Sequence, residues 1–241
     1  MTEEVTSQTE EFLESIYRLQ ERDGAARTTE LVKMLNIVPG TVTNTVERLE
    51  RRGLIRHEAY RGVKLTEEGR AIALRVIRRH RLSERLLSDV LKIRWDRVHE
   101  AACQLEHGVT EEVADNIEKL LEQHPTCPHG NPIPTLEGGI AEESTVPLSS
   151  LNPNAEGTVN HITDESKTTL KRIEELGLKP GVHVRVMERN LRNGSVTFQT
   201  GAERRTASPE VASAVQIKVE KSGVDLRVHR EVEKWNHKTA D

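Results

Sequence analysis

The apolar residues of this chain change period part-way along it, and that change limits the fold more than any other feature. Up to residue 121 they recur at helical spacing: Phe12, Leu13, Ile16, Tyr17 and Leu19; Leu31, Val32 and Leu35; Val42, Val46 and Leu49; Ile72, Val76 and Ile77; Val113, Ile117, Leu120 and Leu121. From Pro125 to about Ser150 the composition turns to Pro, Gly, Glu and Ser without a sustained period, which reads as loop and linker. Short β-prone runs follow at Thr158–Ile162, Val182–Met187, Ser195–Thr200 and Val215–Val219, with Asn193-Gly194 as a hairpin turn and one helix at about Ser166–Leu176. The expected fold class is mainly α: an N-terminal winged helix-turn-helix plus a second helical domain, followed by a small SH3-like β-barrel domain.

Breakers and caps divide the helical part. Asp23-Gly24 ends the first helix, Thr28 or Thr29 caps the second, and Asn36 supplies a turn. Pro39 opens the third helix and Gly53 closes it. The runs Leu54-Ile55-Arg56 and Val63-Lys64-Leu65 flank a turn at Tyr60-Arg61-Gly62, the size of a two-stranded wing. Thr66, with Glu67 and Glu68 in the first turn, caps a long fourth helix. A helix from Asp96 runs through His107 to stop at Gly108, and Thr110 starts another that ends before Pro125. Two short helices, a tight turn and a wing make a helix-turn-helix whose third helix exposes Thr41, Thr43, Asn44, Glu47 and Arg48.

Charge supports that reading. The whole chain has a net charge of −4. Between Arg27 and Lys64, however, eight Lys/Arg (27, 33, 48, 51, 52, 56, 61, 64) face four Glu (30, 47, 50, 58), a local excess of four positive charges. The expected DNA-facing set is Thr28, Pro39, Thr41, Thr43, Asn44, Arg48, Arg51, Arg56, Tyr60 and Arg61. Thr and Asn suit base edges, and the arginines suit phosphates.

A second signature follows directly. His80 and Glu84 are four apart on the fourth helix, and His99, Cys103, Glu106 and His107 fall within an arc of about 100° on the next. Histidine, cysteine and glutamate at these spacings are how a helix builds a metal site. A nucleophilic pairing of Cys103 with His107 is disfavoured, because no glycine-rich oxyanion loop accompanies it; no enzymatic activity is expected. Cys127-Pro-His129 has the look of half a zinc site, but no second pair follows, so it reads as loop. His124, His161 and His183 have no partner that spacing identifies. The two cysteines, Cys103 and Cys127, make no disulfide framework, which suits a reducing cytoplasm. No apolar run approaches the ~20 residues that span a bilayer, and the acidic start Met1-Thr-Glu-Glu is unlike a signal peptide. A cytoplasmic protein without a membrane partner is expected.

Six stretches together resemble the diphtheria toxin repressor family of metal-dependent transcriptional repressors, iron- and manganese-responsive members included: Thr9-Glu-Glu-Phe-Leu-Glu-Ser-Ile-Tyr17, Gly40-Thr-Val-Thr-Asn-Thr-Val46, Tyr60-Arg-Gly62, His80-Arg-Leu-Ser-Glu-Arg-Leu-Leu87, Cys103-Gln-Leu-Glu-His107 and Gly130-Asn-Pro-Ile-Pro134. The resemblance runs from residue 8 to about 137, and the C-terminal part is similar to the family's SH3-like domain, shared with ferrous-iron transport accessory proteins. It implies one ligand set at Glu11, Cys103, Glu106 and His107, with Glu14 as a further carboxylate, and an ancillary set at His80, Glu84 and His99. Glu11 and Glu14 follow the manganese type; Cys103 and His99 follow the iron type. The implied cofactor is therefore Fe²⁺ or Mn²⁺, with Co²⁺, Ni²⁺ or Zn²⁺ able to replace it in vitro. Where iron-type members draw ligands from the SH3-like domain, the aligned positions are Ser166 and Thr169, poor ligands flanked by Asp164 and Glu165.

The expected organisation is residues 1–72 as the DNA-binding domain, 73–137 as the metal-binding and dimerisation domain, 138–150 as linker, 151–221 as the SH3-like domain and 222–241 as a charged tail in which Trp235 docks. The expected function is a homodimeric repressor that senses Fe²⁺ or Mn²⁺, binds a palindromic double-stranded operator and controls metal-homeostasis genes. The alternatives are a metal-independent winged-helix regulator whose C-terminal domain binds a small molecule or a protein, and a metal buffer or transport accessory protein.

Overall fold

The helix boundaries are set by the residues that close them. The computed structural model describes residues 5–58, 60–122, 124–141 and 143–221; the expected charged tail and the docking of Trp235 lie outside the described residues. Helix α1 (Ser7–Asp23) starts where the Thr6 side chain accepts from Thr9 N, and it stops at Gly24 in the left-handed region. Helix α2 (Thr28–Leu35) ends on Asn36 at φ 52°, and α3 (Pro39–Arg51) carries Pro at its first turn, with Gly53 just past its end. Strands β1 (Ile55–Glu58) and β2 (Gly62–Leu65) pair antiparallel, Ile55 opposite Leu65, as the wing. Ala26 and Val63 exchange two 2.9 Å backbone hydrogen bonds, which fastens the wing to the turn before α2. Gly62 permits that contact, since a Cβ there would stand 2.3 Å from the Ala26 carbonyl oxygen.

Helix α4 (Glu67–Arg85), capped by Thr66, passes into a π-helical turn at Leu86–Val90. Helix α5 covers only Val98–Leu105, shorter than the sequence pattern implies, and Glu106 and His107 stand on a 3₁₀ turn, Glu106–Gly108. Helix α6 (Glu111–Leu120) begins at Thr110, whose side chain accepts from Val113 N.

The described residues form two compact units that are not separated by one cut of the sequence: 87–101, 125–132 and 143–221 make the second, and the other described residues make the first. In the first unit Leu13, Ile16, Leu31, Val42, Leu49, Ile55, Leu74 and Ile77 close one aliphatic core. A satellite core of Leu82, Val109, Ala114, Ile117 and Leu121 packs α6 on α4. The buried guanidinium of Arg78 reinforces that contact from α4, donating to Asp115 at 2.8 Å and Glu118 at 2.9 Å on α6.

The second unit is a six-stranded antiparallel sheet in the order β3-β8-β4-β5-β6-β7, built from β3 (Val146–Pro147), β4 (Glu156–Ile162), β5 (His183–Arg189), β6 (Val196–Thr200), β7 (Glu203–Ala207) and β8 (Val215–Lys221). Helices α7 (Lys167–Glu175) and α8 (Pro209–Ala214) join its strands, and Val159, Leu170, Ile173, Val184, Phe198 and Ile217 fill its core. Trp95 packs against that core. The segment from Cys127 to Asn131 is a tight turn: Gly130 N donates to Cys127 O at 2.9 Å, Cys127 N donates to Asn131 O at 2.8 Å, and His129 O accepts from Ile162 N at 3.0 Å. Gly130 lies so close to β4 that a Cβ would be 2.1 Å from Asn160 O. No helix among the described residues is long and apolar enough to cross a membrane.

Candidate metal centre

In the first unit, polar side chains from α1, α4 and the turn after α5 form a continuous relay. His80 and Glu84 lie one turn apart on α4, both buried, with His80 Nε2 3.2 Å from Glu84 Oε1. The other ring nitrogen of His80, Nδ1, is hydrogen-bonded to Glu106, and the ring also bonds the Cys103 side chain. The second oxygen of Glu106 sits 3.4 Å from His107 Nε2. His107 Nδ1–H donates to Glu10 Oε2 at 2.9 Å. Arg79 donates to the other Glu10 oxygen at 2.6 Å and to Glu111 at 3.3 Å.

The electrostatics explain why so many ionisable groups tolerate burial. Removal from water would lower the His80 pKa, but the Glu84 carboxylate opposes this. With hydrogen bonds to Cys103, Glu106 and Glu84, it holds His80 well above its ordinary value. The upward shift favours the imidazolium form, whose charge offsets the buried carboxylates on either side. A divalent cation among the same groups does the same electrostatic work, and thiolate, imidazole and carboxylate donors fit Fe²⁺ or Mn²⁺. His80, Glu84, Cys103, Glu106 and His107 are thus brought together. Glu11 is exposed, and Glu14 is buried and ion-paired to Arg18 at 2.8 Å. Glu10, which spacing did not single out, is the α1 carboxylate that reaches His107.

The second unit holds its own group. His99 Nδ1 lies 3.6 Å from one Glu165 oxygen, and His129 Nδ1 lies 3.2 Å from the other. Cys127, His129 and Glu165 each offer a ligand atom within 4.8 Å of the others. His129 Nε2–H donates to the Trp95 carbonyl at 3.0 Å, so its Nδ1 lone pair is the one presented to the cluster. The indole of Trp95 stands edge-on to His129, with 4.7 Å between centroids, and donates to Pro128 O. Asn131 Nδ2 donates to Ile162 O at 2.9 Å and to Glu165 at 3.0 Å. Asp164 accepts from Ser166 N and the Thr169 hydroxyl at the start of α7, and of the two neighbouring acids it is Glu165 that faces the histidines. Cys127 and His129 read as loop because the groups that complete their set are distant in sequence. The Cys-x-His pair itself was the available signal.

The DNA-facing set lies on one module. Thr28, Pro39, Thr41, Thr43, Asn44, Arg48, Arg51, Arg56, Tyr60 and Arg61 are all exposed, while Val42, Val46 and Leu49 turn the opposite side of α3 into the core. Tyr60 extends from the wing turn at φ 62°.

Three family models match the chain: "Iron dependent repressor, N-terminal DNA binding domain" over residues 4–63, "Iron dependent repressor, metal binding and dimerisation domain" over 66–135, and "FeoA domain" over 146–219. The iron-dependent repressor IdeR of Mycobacterium tuberculosis is 36% identical over 226 residues, 89% of this chain and 98% of that protein. The diphtheria toxin repressor of Corynebacterium diphtheriae is 38% identical over 129 residues, 54% of this chain and 57% of that protein. Among solved structures, a manganese-dependent transcriptional repressor in complex with manganese superposes with a TM-score of 0.81 at 27% identity, covering 88% of this chain and 99% of that one.

Proposed function

The chain belongs to the iron-dependent repressor family typified by the diphtheria toxin repressor, and from that premise we propose that it is a metal-dependent transcriptional repressor whose co-repressor is Fe²⁺ or Mn²⁺. The observation that carries this is the relay Glu84–His80–Glu106–His107, buried from Glu84 to Glu106, which ends on α1 of the DNA-binding module through Glu10. Cys103, Glu106 and His107 would hold one ion, and His80 and Glu84 belong to an ancillary set. Glu11, exposed one residue from Glu10, and Glu14, once released from Arg18, are the further α1 carboxylates; His99, with Cys127, His129 and Glu165, is the donor group of the second unit. When bound, the metal supplies positive charge and fixed ligand directions, and these residues serve binding rather than catalysis.

The protein's own part is to tie α1, α4 and the sensor turn together. A ligand shifts a conformational population only through differential affinity, and a site built from three elements has that affinity only when all three are in place. Thr41, Thr43 and Asn44 then read base edges while Arg48, Arg51, Arg56 and Arg61 meet phosphates. Leu105 on α5, and Val113 and Leu120 seven apart on α6, are exposed apolar residues that suit burial against a second copy. Such a dimer places two α3 helices about 34 Å apart on a palindromic operator. The cytoplasm, where DNA and reduced thiols coexist, is the working compartment. A metal-independent regulator is not favoured, since it has no use for the relay.

The test is operator binding by fluorescence anisotropy, anaerobically, with Fe²⁺, Mn²⁺ or a chelator. Metal should tighten binding and the chelator should reverse it; equal affinity with and without metal would sink the proposal.

A further inference from the structure

The 3.4 Å approach of His107 Nε2 to Glu106 Oε1 sets the question. His107 Nδ1–H is committed to Glu10 at 2.9 Å. In the neutral ring, Nε2 then carries a lone pair aimed at a carboxylate oxygen. Two electron-pair donors facing each other need a cation between them, either a proton or a metal ion. Ligand bonds of about 2.1 Å from both atoms meet across that gap at about 110°, a normal angle for two ligands on one ion.

Which nitrogen faces the gap depends on Glu10. A histidine without a partner at Nδ1 favours the Nε2–H tautomer, which would place a hydrogen where the ligand lone pair must be. Glu10 is well placed to prevent this. Arg79 holds its other oxygen at 2.6 Å and is itself held by Glu111 at 3.3 Å, so the carboxylate is fixed from behind.

Resting on the metal-sensing reading above, we propose that Glu10 is a positioning residue and not a ligand. It selects the Nδ1–H tautomer of His107 and so presents Nε2 to the metal, while Glu111–Arg79–Glu10 forms the buttress of the site. Because Glu10 lies in the first turn of α1, the sensor histidine is correctly prepared only when the start of α1 sits against α4. Tautomer choice is thereby linked to the placement of the DNA-binding module.

The experiment compares wild type with Glu10→Ala and Glu10→Gln. Long-range ¹H–¹⁵N spectra of the metal-free proteins, with His107 assigned through His107→Ala, report the tautomer; anaerobic Co²⁺ titrations report affinity. Wild type should show Nδ1–H. Glu10→Ala should move His107 toward Nε2–H and weaken Co²⁺ binding about 10–100-fold, the usual effect of losing an orienting partner. Glu10→Gln, whose amide oxygen still accepts from Nδ1–H, should keep the tautomer and most of the affinity. An unchanged tautomer in Glu10→Ala overturns the proposal, as does equal weakening by Ala and Gln, which would mark Glu10 as a ligand or a bare charge. Both outcomes leave metal-dependent operator binding by the wild type intact, so the two readings fail separately.

Discussion

Protons and metal ions compete for His80, and the direction of that competition can be worked out. Its folded pKa is raised well above the ordinary 6.5, with burial opposing the shift and Glu84, Cys103 and Glu106 causing it. A group raised on folding contributes stability that is fully present below the unfolded pKa and is lost as pH rises through the folded one. The metal-free protein should therefore lose stability from about pH 6.5 upward, at a limiting slope of about 1.4 kcal/mol per pH unit for one proton. Metal affinity should move the opposite way. Below the folded pKa of His80 an ion must displace one proton from its ring, so apparent affinity rises about tenfold per pH unit, and Cys103 ionisation can add a second decade. Denaturant melts of the chelated protein and calorimetric Mn²⁺ titrations from pH 6 to 8 measure both slopes. Glu84→Gln provides the control: removing the main charge that raises His80 should flatten both. Metal affinity independent of pH, or metal-free stability that increases across this window, would refute the assignment of His80 as a protonated occupant of the site.

Other outcomes follow from individual contacts. Alanine at Thr41, Thr43 or Asn44 should relax operator choice at a cost of roughly 1–3 kcal/mol of discrimination, whereas alanine at Arg56 or Arg61 should weaken all sequences and lower the salt slope by about one; competition assays over a salt series separate the two. Glu11 is exposed, so Glu11→Ala should change metal-free stability by less than about 0.5 kcal/mol and reveal a ligand role only as weaker Mn²⁺ binding. Cys103→Glu should lower the ratio of half-activating Mn²⁺ to Fe²⁺, because it exchanges a soft donor for a hard one. Gly62→Ala should destabilise the wing by at least about 1–3 kcal/mol, since the side chain is strained at φ 119° and collides with Ala26 O; an unchanged melting midpoint would contradict the close approach.

Much of the helical half was legible because its boundaries are local chemistry. Thr66, Thr110 and Pro39 act as starts, and Gly24, Asn36 and Gly53 as stops, through bonds and dihedrals spanning a few residues. Strand β7 was not legible. Its sequence Glu-Arg-Arg-Thr-Ala buries only Ala207 at an edge of the sheet, so it lacks the alternation that marks a half-buried strand. Helix α8, six residues long, is too short for a helical period to register. In the metal centre, spacing gathered His80, Glu84, Cys103, Glu106 and His107 onto neighbouring faces. It did not single out Glu10, whose partner Arg79 is 69 residues away. The Cys127, His129 and Glu165 group was hidden for the same reason, because a tight turn and a strand crossing bring those residues together rather than a period.

The indole edge against His129 gives the second unit its own optical signal. Trp95 is the one tryptophan among the described residues, its ring 4.7 Å from an imidazole that shares the Cys127 and Glu165 group. A paramagnetic ion bound there would drain the excited state of Trp95 at short range. A Trp235→Phe variant would then emit only from this position. Quenching on addition of Mn²⁺ or Co²⁺ would give the filling of the β domain as a curve separate from that of the relay on α4, and the order in which the two fill could be followed without a label.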